Sequence, residues 1–335
     1  MLIEVITLIL GIIVILFLAE VAVRNSIRLA HHFNWSGTFI GLTILSIGTS
    51  IPEIMSAIVG SIDIVRDPSL MQTLSGLIVG TNVGSDIFQQ SFVLALVGII
   101  GTVVVIRKNI FSEVGALIAG AVLMWIMTIG GFISRIEGLI MLLMYVGYLF
   151  YLERRQRKKK HHDHTVKHVT HKKVKKKKLT NWRVVTEISM IIVSFTIMAF
   201  AAQKVIGAST VLVSFLPISA SFFGVILLGV TSALPELTTA LIAVFKHKKD
   251  ISAGVLIGSN VTNPLLGLGI GALISGYAIP NVTRFYDLPF KIGIALVIFA
   301  FLWKNEELRK WQAFLLIGLF IAYLLFRQMF FPVDF

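Results

Sequence analysis

A chain of 335 residues that is 56% hydrophobic and 14% charged, with a mean hydropathy of +0.88, is not a water-soluble domain. The absence of cysteine excludes a disulfide scaffold or a thiolate metal centre. The net charge of +13 suggests nucleic acid only until it is located. Thirteen Lys or Arg and one acid, Asp163, fall between Arg154 and Lys178, which accounts for +12 and leaves the rest of the chain at +1.

A bilayer core of roughly 30 Å takes about 20 apolar residues per helical span. On that measure the sequence predicts ten spans, near 1–24, 36–62, 70–105, 112–131, 133–152, 183–206, 215–245, 251–279, 287–303 and 310–330. The third, seventh and eighth are long enough to require tilt, a break or an added turn. Alternating apolar and polar segments of about ten residues, the mark of an outer-membrane barrel, are missing, so the expected fold is all-α. Residues 1–22 have the apolar length of a signal peptide but lack a basic n-region, and Glu4 sits in the first turn. A retained first span is expected. Glu4, Glu20, Glu113 and Glu187 lie near span ends and read as interfacial, with Glu20 placed to pair with Arg24 one turn on.

The basic run falls between five spans and five spans. It reads as a solvated cytoplasmic linker, residues 153–182, separating a first unit at 1–152 from a second at 183–335. It carries His161, His162, His164, His168 and His171, and the sharper readings of it are contact with anionic lipid headgroups or weak metal binding by the histidines. Without interleaved aromatics it offers no platform for nucleic acid. A cytoplasmic linker between odd blocks puts both termini outside, in the plasma membrane. The other basic residues agree, with eleven on the linker's side and six, Lys291 and Arg327 among them, on the other.

Two motifs recur in the same order. The second span holds GTSIPEIMSAI, with Thr49, Ser50, Pro52 and Glu53, and the third holds GTNVGSDIFQQ, with Ser85, Asp86 and Gln89. The seventh holds VTSALPELTTALI, with Thr231, Ser232, Pro235 and Glu236, and the eighth holds GVLIGSNVTNP, with Ser259 and Asn263. Blocks with an odd number of spans enter the membrane from opposite sides, so these are inverted repeats. Gly80, Gly84, Gly254 and Gly258 fit close helix packing.

A proline within a span removes a backbone donor and clashes with the turn before it, so breaks are expected near Pro52 and Pro235. The carbonyls so freed are tolerated at membrane depth only against protein or a wet cavity. A carboxylate follows each proline, and an ionised Glu at that depth is costly unless a cation is bound. Two Glu with freed carbonyls and hydroxyls make an oxygen cage of the kind that Ca2+ takes with six to eight ligands. Ser85 and Gln89, like Ser259 and Asn263, are spaced to share a helix face.

The pairs GTSIPE with GSDIFQ, and TSALPE with GSNVTN, resemble the signature repeats of the cation/Ca2+ antiporter superfamily, which includes the Na+/Ca2+ exchangers. The resemblance spans the ten-helix layout. It implies a central Ca2+ site of Glu53 and Glu236 with backbone oxygens of Thr49 and Ser232, flanked by cation sites lined by Ser50, Ser85, Ser259, Gln89 and Asn263. It also implies alternating access, with the first and sixth helices moving as a gate. Ca2+ and Na+ are then transported substrates, and no cofactor is expected.

Departures from the family pattern matter at four positions. Gln89 stands where many Na+/Ca2+ exchangers carry Asn, and Asn263 where they carry Asp. Ala233 loses a hydroxyl. Asp86 replaces Asn beside Ser85 and is a candidate substitute ligand, although it lies about 100° around the helix from Ser85. The first repeat is also longer: Glu53 to Gly84 is 31 positions and Glu236 to Gly258 is 22, with the surplus expected in an outer loop around Asp63 to Pro68.

Ca2+ with two ionised Glu is neutral, as is the same site holding two Na+ or two protons. Sodium coupling is expected on the serine-bearing motifs, and proton coupling is the alternative that Asn263 supports. A passive cation channel could use the same acids, but inverted repeats broken by proline favour a transporter. An enzyme is not expected, for the chain has no H-E-x-x-H motif and no evident nucleophile. Replacing residues 158–178 with a neutral Gly/Ser segment is predicted to preserve Ca2+ exchange in proteoliposomes. Loss of exchange in folded protein, with orientation checked by cysteine labelling, would place the linker in the mechanism.

Overall fold

A computed structural model of the chain describes residues 2–101, 107–167, 181–213 and 224–331. Among the described residues eight helices are long and apolar enough to cross a bilayer, and two pairs of shorter helices, each bent by 43°, bring the spans to ten. In chain order they are α1 (Leu2–Phe33), α2 (limbs Gly37–Thr49 and Ile51–Arg66), α3 (Pro68–Gly101), α4 (Arg107–Thr128) and α5 (Arg135–Lys167). They continue with α6 (Asn181–Val213), α7 (limbs Gly224–Ser232 and Leu234–Phe245), α8 (Lys249–Ser275), α9 (Thr283–Asn305) and α10 (Lys310–Phe330). One small exception to the all-helical expectation is an antiparallel pair, β1 (Phe132–Ile133) and β2 (Tyr277–Ala278), with Phe132 opposite Ala278. Part of the expected linker, 168–180 with His168 and His171, and the start of the expected seventh span, 215–223, lie outside the described residues. The linker's first portion is helical, because α5 continues through it to Lys167.

Both bends fall where proline dictates. The hinge residues Ser50 (φ −80°, ψ 2°) and Ala233 (φ −78°, ψ 1°) leave helical geometry, and each second limb starts with proline in its first turn. Pro52 and Pro235 have no amide hydrogen to return to Gly48 and Thr231. The ladder resumes with the amides of Ile54 and Leu237 donating to Ser50 and Ala233 at 3.0 and 2.9 Å.

The interior is built from α2, α3, α7 and α8. In α3 and α8, 78% of the apolar stretch is buried, against 25% in α1. Helix α1 packs along α6 through Ile15, Ala19, Ala22 and Val23 against Ile191, Phe195 and Met198. Its other face exposes Ile6, Ile9, Leu10, Ile13 and Phe17, as a lipid-facing helix must. Glu20 pairs with Arg24 at 2.6 Å, as expected, and also with Lys246 at 3.1 Å.

Each bent helix lays its first limb across the glycine-rich helix of the other half. A Cβ on Gly84 of α3 would stand 2.3 Å from the Val225 carbonyl oxygen of α7, and one on Gly229 of α7 would stand 2.7 Å from the Ser85 nitrogen. At the related crossing a Cβ on Gly41 of α2 would stand 2.6 Å from the Ile251 carbonyl oxygen of α8, and one on Gly254 would stand 2.9 Å from that of Thr38. Backbones meet at both crossings, so any side chain would part them. The repeat extends to the backbone. Segments of π-helix occupy Gly41–Leu45 and Gly224–Leu228 in the first limbs, and Gln89–Val93 and Asn263–Leu268 in α3 and α8. Such segments widen a helix at positions that often serve function.

Three expectations are corrected. Eight of the nine extra positions of the first repeat lie in helix and not in a loop. The limb Ile51–Arg66 has 16 residues where Leu234–Phe245 has 12, and Met71–Phe88 has 18 where Lys249–Thr262 has 14. Extending two packed helices keeps every new amide bonded, which a loop there would not. Lys291 and Arg327, counted with the loop charges, are both fully buried and held in ion pairs. Arg327 binds Asp287 at 2.8 Å from Nε, and the Tyr323 hydroxyl donates to the same carboxylate at 2.7 Å, tying α9 to α10. Glu113 and Glu187 are likewise buried against Arg155 (3.3 Å) and Arg28 (3.1 Å), not merely interfacial.

The crossings make a direct prediction. Gly84→Ala should destabilise the protein by about 1–3 kcal/mol, the usual cost of forcing atoms into a filled space. Gly115→Ala, where an added Cβ meets nothing within 4 Å, should be neutral or stabilising. Thermal unfolding in detergent compares the two, and equal melting temperatures would contradict the crossing.

Candidate cation site

The two breaks set the two acids. Each follows proline in the first turn of a second limb, where the positive end of the helix dipole favours a carboxylate. Glu53 is 3% exposed and Glu236 is 0% exposed. Glu53 Oε1 accepts from the Ser85 hydroxyl at 3.1 Å. The remaining carboxylate oxygens, Glu53 Oε2 with both of Glu236, meet no hydrogen-bond donor.

The hydroxyls nearby are crossed between the repeats. Ser232 of α7 stands beside Glu53, and Thr49 of α2 stands beside Glu236. Each hydroxyl donates one turn back within its own limb, Thr49 to Ser46 O at 3.3 Å and Ser232 to Gly229 O at 3.2 Å, leaving its lone pairs free. The Ser50 hydroxyl, at the first hinge, is buried without a partner. Ala233 holds the matching hinge position and is equally buried.

From Glu53 a polar chain runs to the other half. Gln89 Nε2 donates to the Ser85 hydroxyl at 3.0 Å, and the Gln89 carbonyl accepts from Ser259 Oγ and, at 3.3 Å, from Asn260 Nδ2. Gln90 Nε2 donates to Asn260 Oδ1 at 2.7 Å. Asn263 does not join this chain, despite sharing a face with Ser259. Its Nδ2 donates to Asp86 Oδ1 at 2.9 Å, its backbone oxygen accepts from Asn82 Nδ2 at 3.0 Å, and its own Oδ1 is left buried without a donor.

Asp86 faces away from the Ser85 chain. It binds Asn263 and forms an ion pair with Lys291 Nζ from α9, and neither Asp86 nor Lys291 is exposed at all. As the turn of the helix requires, Asp86 meets Asn263 and Lys291 and not the Ser85–Gln89 chain. The structure brings nine of the ten candidate residues into two adjoining groups, one around Glu53 and Glu236 and one around Asp86 and Asn263. Ser50 adds a lone hydroxyl at the hinge.

Sequence reasoning missed Lys291, Asn82, Gln90 and Asn260. One signal was available for Lys291: a lone Asp in the middle of an apolar span demands a cation, and the ninth span carries a lysine near its start. The three amides lie inside the two Gly-Ser motifs, one to three residues from Ser85, Gln89 or Ser259.

An arrangement in which buried oxygens outnumber donors can bind a cation or protons, and little else. The pair on the far side behaves differently, for it is complete. Asp86→Asn strands the Lys291 ammonium and should cost roughly 3–5 kcal/mol, the usual penalty for breaking a buried pair. Asp86→Asn with Lys291→Met should recover most of that loss in thermal unfolding. A single variant as stable as the parent would contradict the pairing.

Known proteins fall in with this geometry. A family model described as sodium/calcium exchanger protein matches residues 3–152 and 186–329. Sodium/calcium exchanger MaX1 of Methanosarcina acetivorans is 24% identical over 345 residues, covering 95% of this chain and 96% of its own. Inner membrane protein YrbG of Escherichia coli is 26% identical over 318 residues, covering 95% and 94%. The solved structure of the sodium-calcium exchanger NCX_Mj, soaked with Na+ and Sr2+, matches with a TM-score of 0.74 at 25% identity, covering 95% of this chain and 96% of that one. With ten helical spans and its two repeats, this multi-pass membrane chain belongs to the sodium/calcium exchanger protein family.

Proposed function

We propose that this cation/Ca2+ exchanger is a secondary antiporter that moves Ca2+ against Na+ by alternating access at the two helix breaks. The observation that carries the reading is the pair of buried glutamates, three of whose four oxygens have no donor. Two bare carboxylates in a low-dielectric interior are untenable without a counter-charge. One divalent ion, or two monovalent ions, supplies it.

In this reading Glu53 and Glu236 hold Ca2+ between them, with backbone oxygens of Thr49 and Ser232 completing the shell of a hard, oxygen-seeking ion. Ser50, Ser85, Gln89, Ser259 and Asn263 line the flanking positions for Na+. The naming of MaX1 as a sodium/calcium exchanger and the Na+ and Sr2+ soaks of NCX_Mj support both ions. Alternating access has its mechanical means in α1 and α6, which pack against each other on one flank and against the bent helices. Residues 1–152 and 183–335 are the two repeated units, joined by the basic linker. The linker lies in the cytoplasm against anionic headgroups, with both termini outside the plasma membrane.

Proton coupling is the second reading. It is favoured by Asn263, an uncharged residue whose amide is spent on Asp86. The two separate in one experiment: 45Ca2+ uptake into proteoliposomes under an outward Na+ gradient at fixed pH, or under a pH gradient without Na+. Uptake driven by Na+ alone supports the proposal, and uptake driven only by the pH gradient overturns its sodium half. Unitary currents would show a channel.

The acids themselves give a sharper test. Glu53→Gln or Glu236→Gln should lower Ca2+ exchange by roughly tenfold or more, a loss above about 1.4 kcal/mol of ion binding, while the protein remains folded. Near-parental exchange in either variant would contradict the assignment.

A further inference from the structure

The third acid in the interior, Asp86, changes the charge that the transported ions must balance, and Lys291 changes it back. The other buried acids have partners elsewhere: Asp287 has Arg327, Glu113 has Arg155 and Glu187 has Arg28. Among the described residues this leaves, around the breaks, Glu53, Glu236 and Asp86 against one ammonium, that of Lys291.

The Asp86–Lys291 pair is not a remote strut. Asp86 follows Ser85, the donor to Glu53, and it accepts from Asn263 of α8, one of the proposed flanking ligands. It lies within electrostatic range of both glutamates. Lys291 approaches from α9 and contributes its charge at 0% exposure, so no solvent screens it.

We propose that Lys291 acts as a built-in monovalent cation, which fixes the free charge of the site at two negatives and makes exchange electroneutral, one Ca2+ for two monovalent ions. By carboxylate number alone the site would take three monovalent ions. The ammonium occupies the electrostatic place of the third and does not leave. The inference rests on the Ca2+ exchange proposed above, but not on which monovalent ion couples to it.

The test is the voltage dependence of 45Ca2+ uptake into proteoliposomes under an outward Na+ or proton gradient, whichever drives transport. The membrane potential is held at zero or made inside-positive with a K+ gradient and valinomycin. The parent protein is expected to take up Ca2+ at the same rate in both. Lys291→Met frees the Asp86 charge for a third monovalent ion. Its uptake is expected to quicken several-fold at inside-positive potential, and its dependence on the coupling ion to steepen. Asp86→Asn with Lys291→Met removes both charges and is expected to return uptake to voltage independence. This paired variant carries the comparison if the single one does not fold. Parental uptake that quickens at inside-positive potential overturns the inference, as does a transporting Lys291→Met variant without voltage dependence or a paired variant with it. An electrogenic parent that still exchanges Ca2+ overturns the inference alone. Failure to take up Ca2+ under any gradient removes the proposed function and the inference together.

Discussion

Everything in this fold depends on breaking two helices where no water can repair the break. At the depth of a bilayer a free carbonyl or carboxylate has only protein or an ion to turn to. Proline at positions 52 and 235 makes the break, and the hinge residues Ser50 and Ala233 carry the turn. The crossings of α2 over α8 and of α7 over α3 then bury the broken ends. Those crossings need backbones in contact, which is why Gly41, Gly84, Gly229 and Gly254 stand at them. A fold that assembled these helices without a ligand in view would have no reason to point two glutamates inward.

The electrostatics separate structure from function. Buried acids such as Asp287, paired with Arg327, and Glu187, paired with the half-exposed Arg28, are satisfied by the chain itself and hold neighbouring helices together. Glu53 and Glu236 are different, because their burial is as complete and three of their four oxygens are left without donors. The chain has matched its permanent charges and left open the two that a passing cation can match. Asp86 with Lys291 belongs to the first class by partnership, although Asn263 ties it to the second group of candidate residues.

Much of this was legible in the sequence, because it follows from short-range rules. Proline followed by glutamate inside an apolar run gives both the break and the acid, and the recurrence of that pair with a Gly-Ser segment gives the inverted repeat. What was not legible required knowing which helix faces which. Lys291 and Arg327 each lie a turn or so from a span end, and a basic residue there reads as a loop charge. Only the packing of α9 on α3 and on α10 shows them to be interior. The crossed placement of Thr49 by Glu236 and Ser232 by Glu53 is likewise a product of tertiary packing. The extra length of the first repeat read as a loop because Asp67 and Pro68 are turn formers. In the structure they supply only a short turn, with one limb of α2 and the start of α3 lengthened on either side.

The central claim is that the two glutamates at the breaks form one site for a divalent ion, and equilibrium binding tests it most directly. Purified protein should bind one Ca2+ per chain by calorimetry, with Na+ competing, and should lose that binding when both Glu53 and Glu236 are changed to Gln. Because a ligand that binds only the folded state stabilises it by mass action, the melting temperature should rise with Ca2+ in the parent and not in the doubly changed protein. Undiminished Ca2+ binding without the two acids would contradict the account.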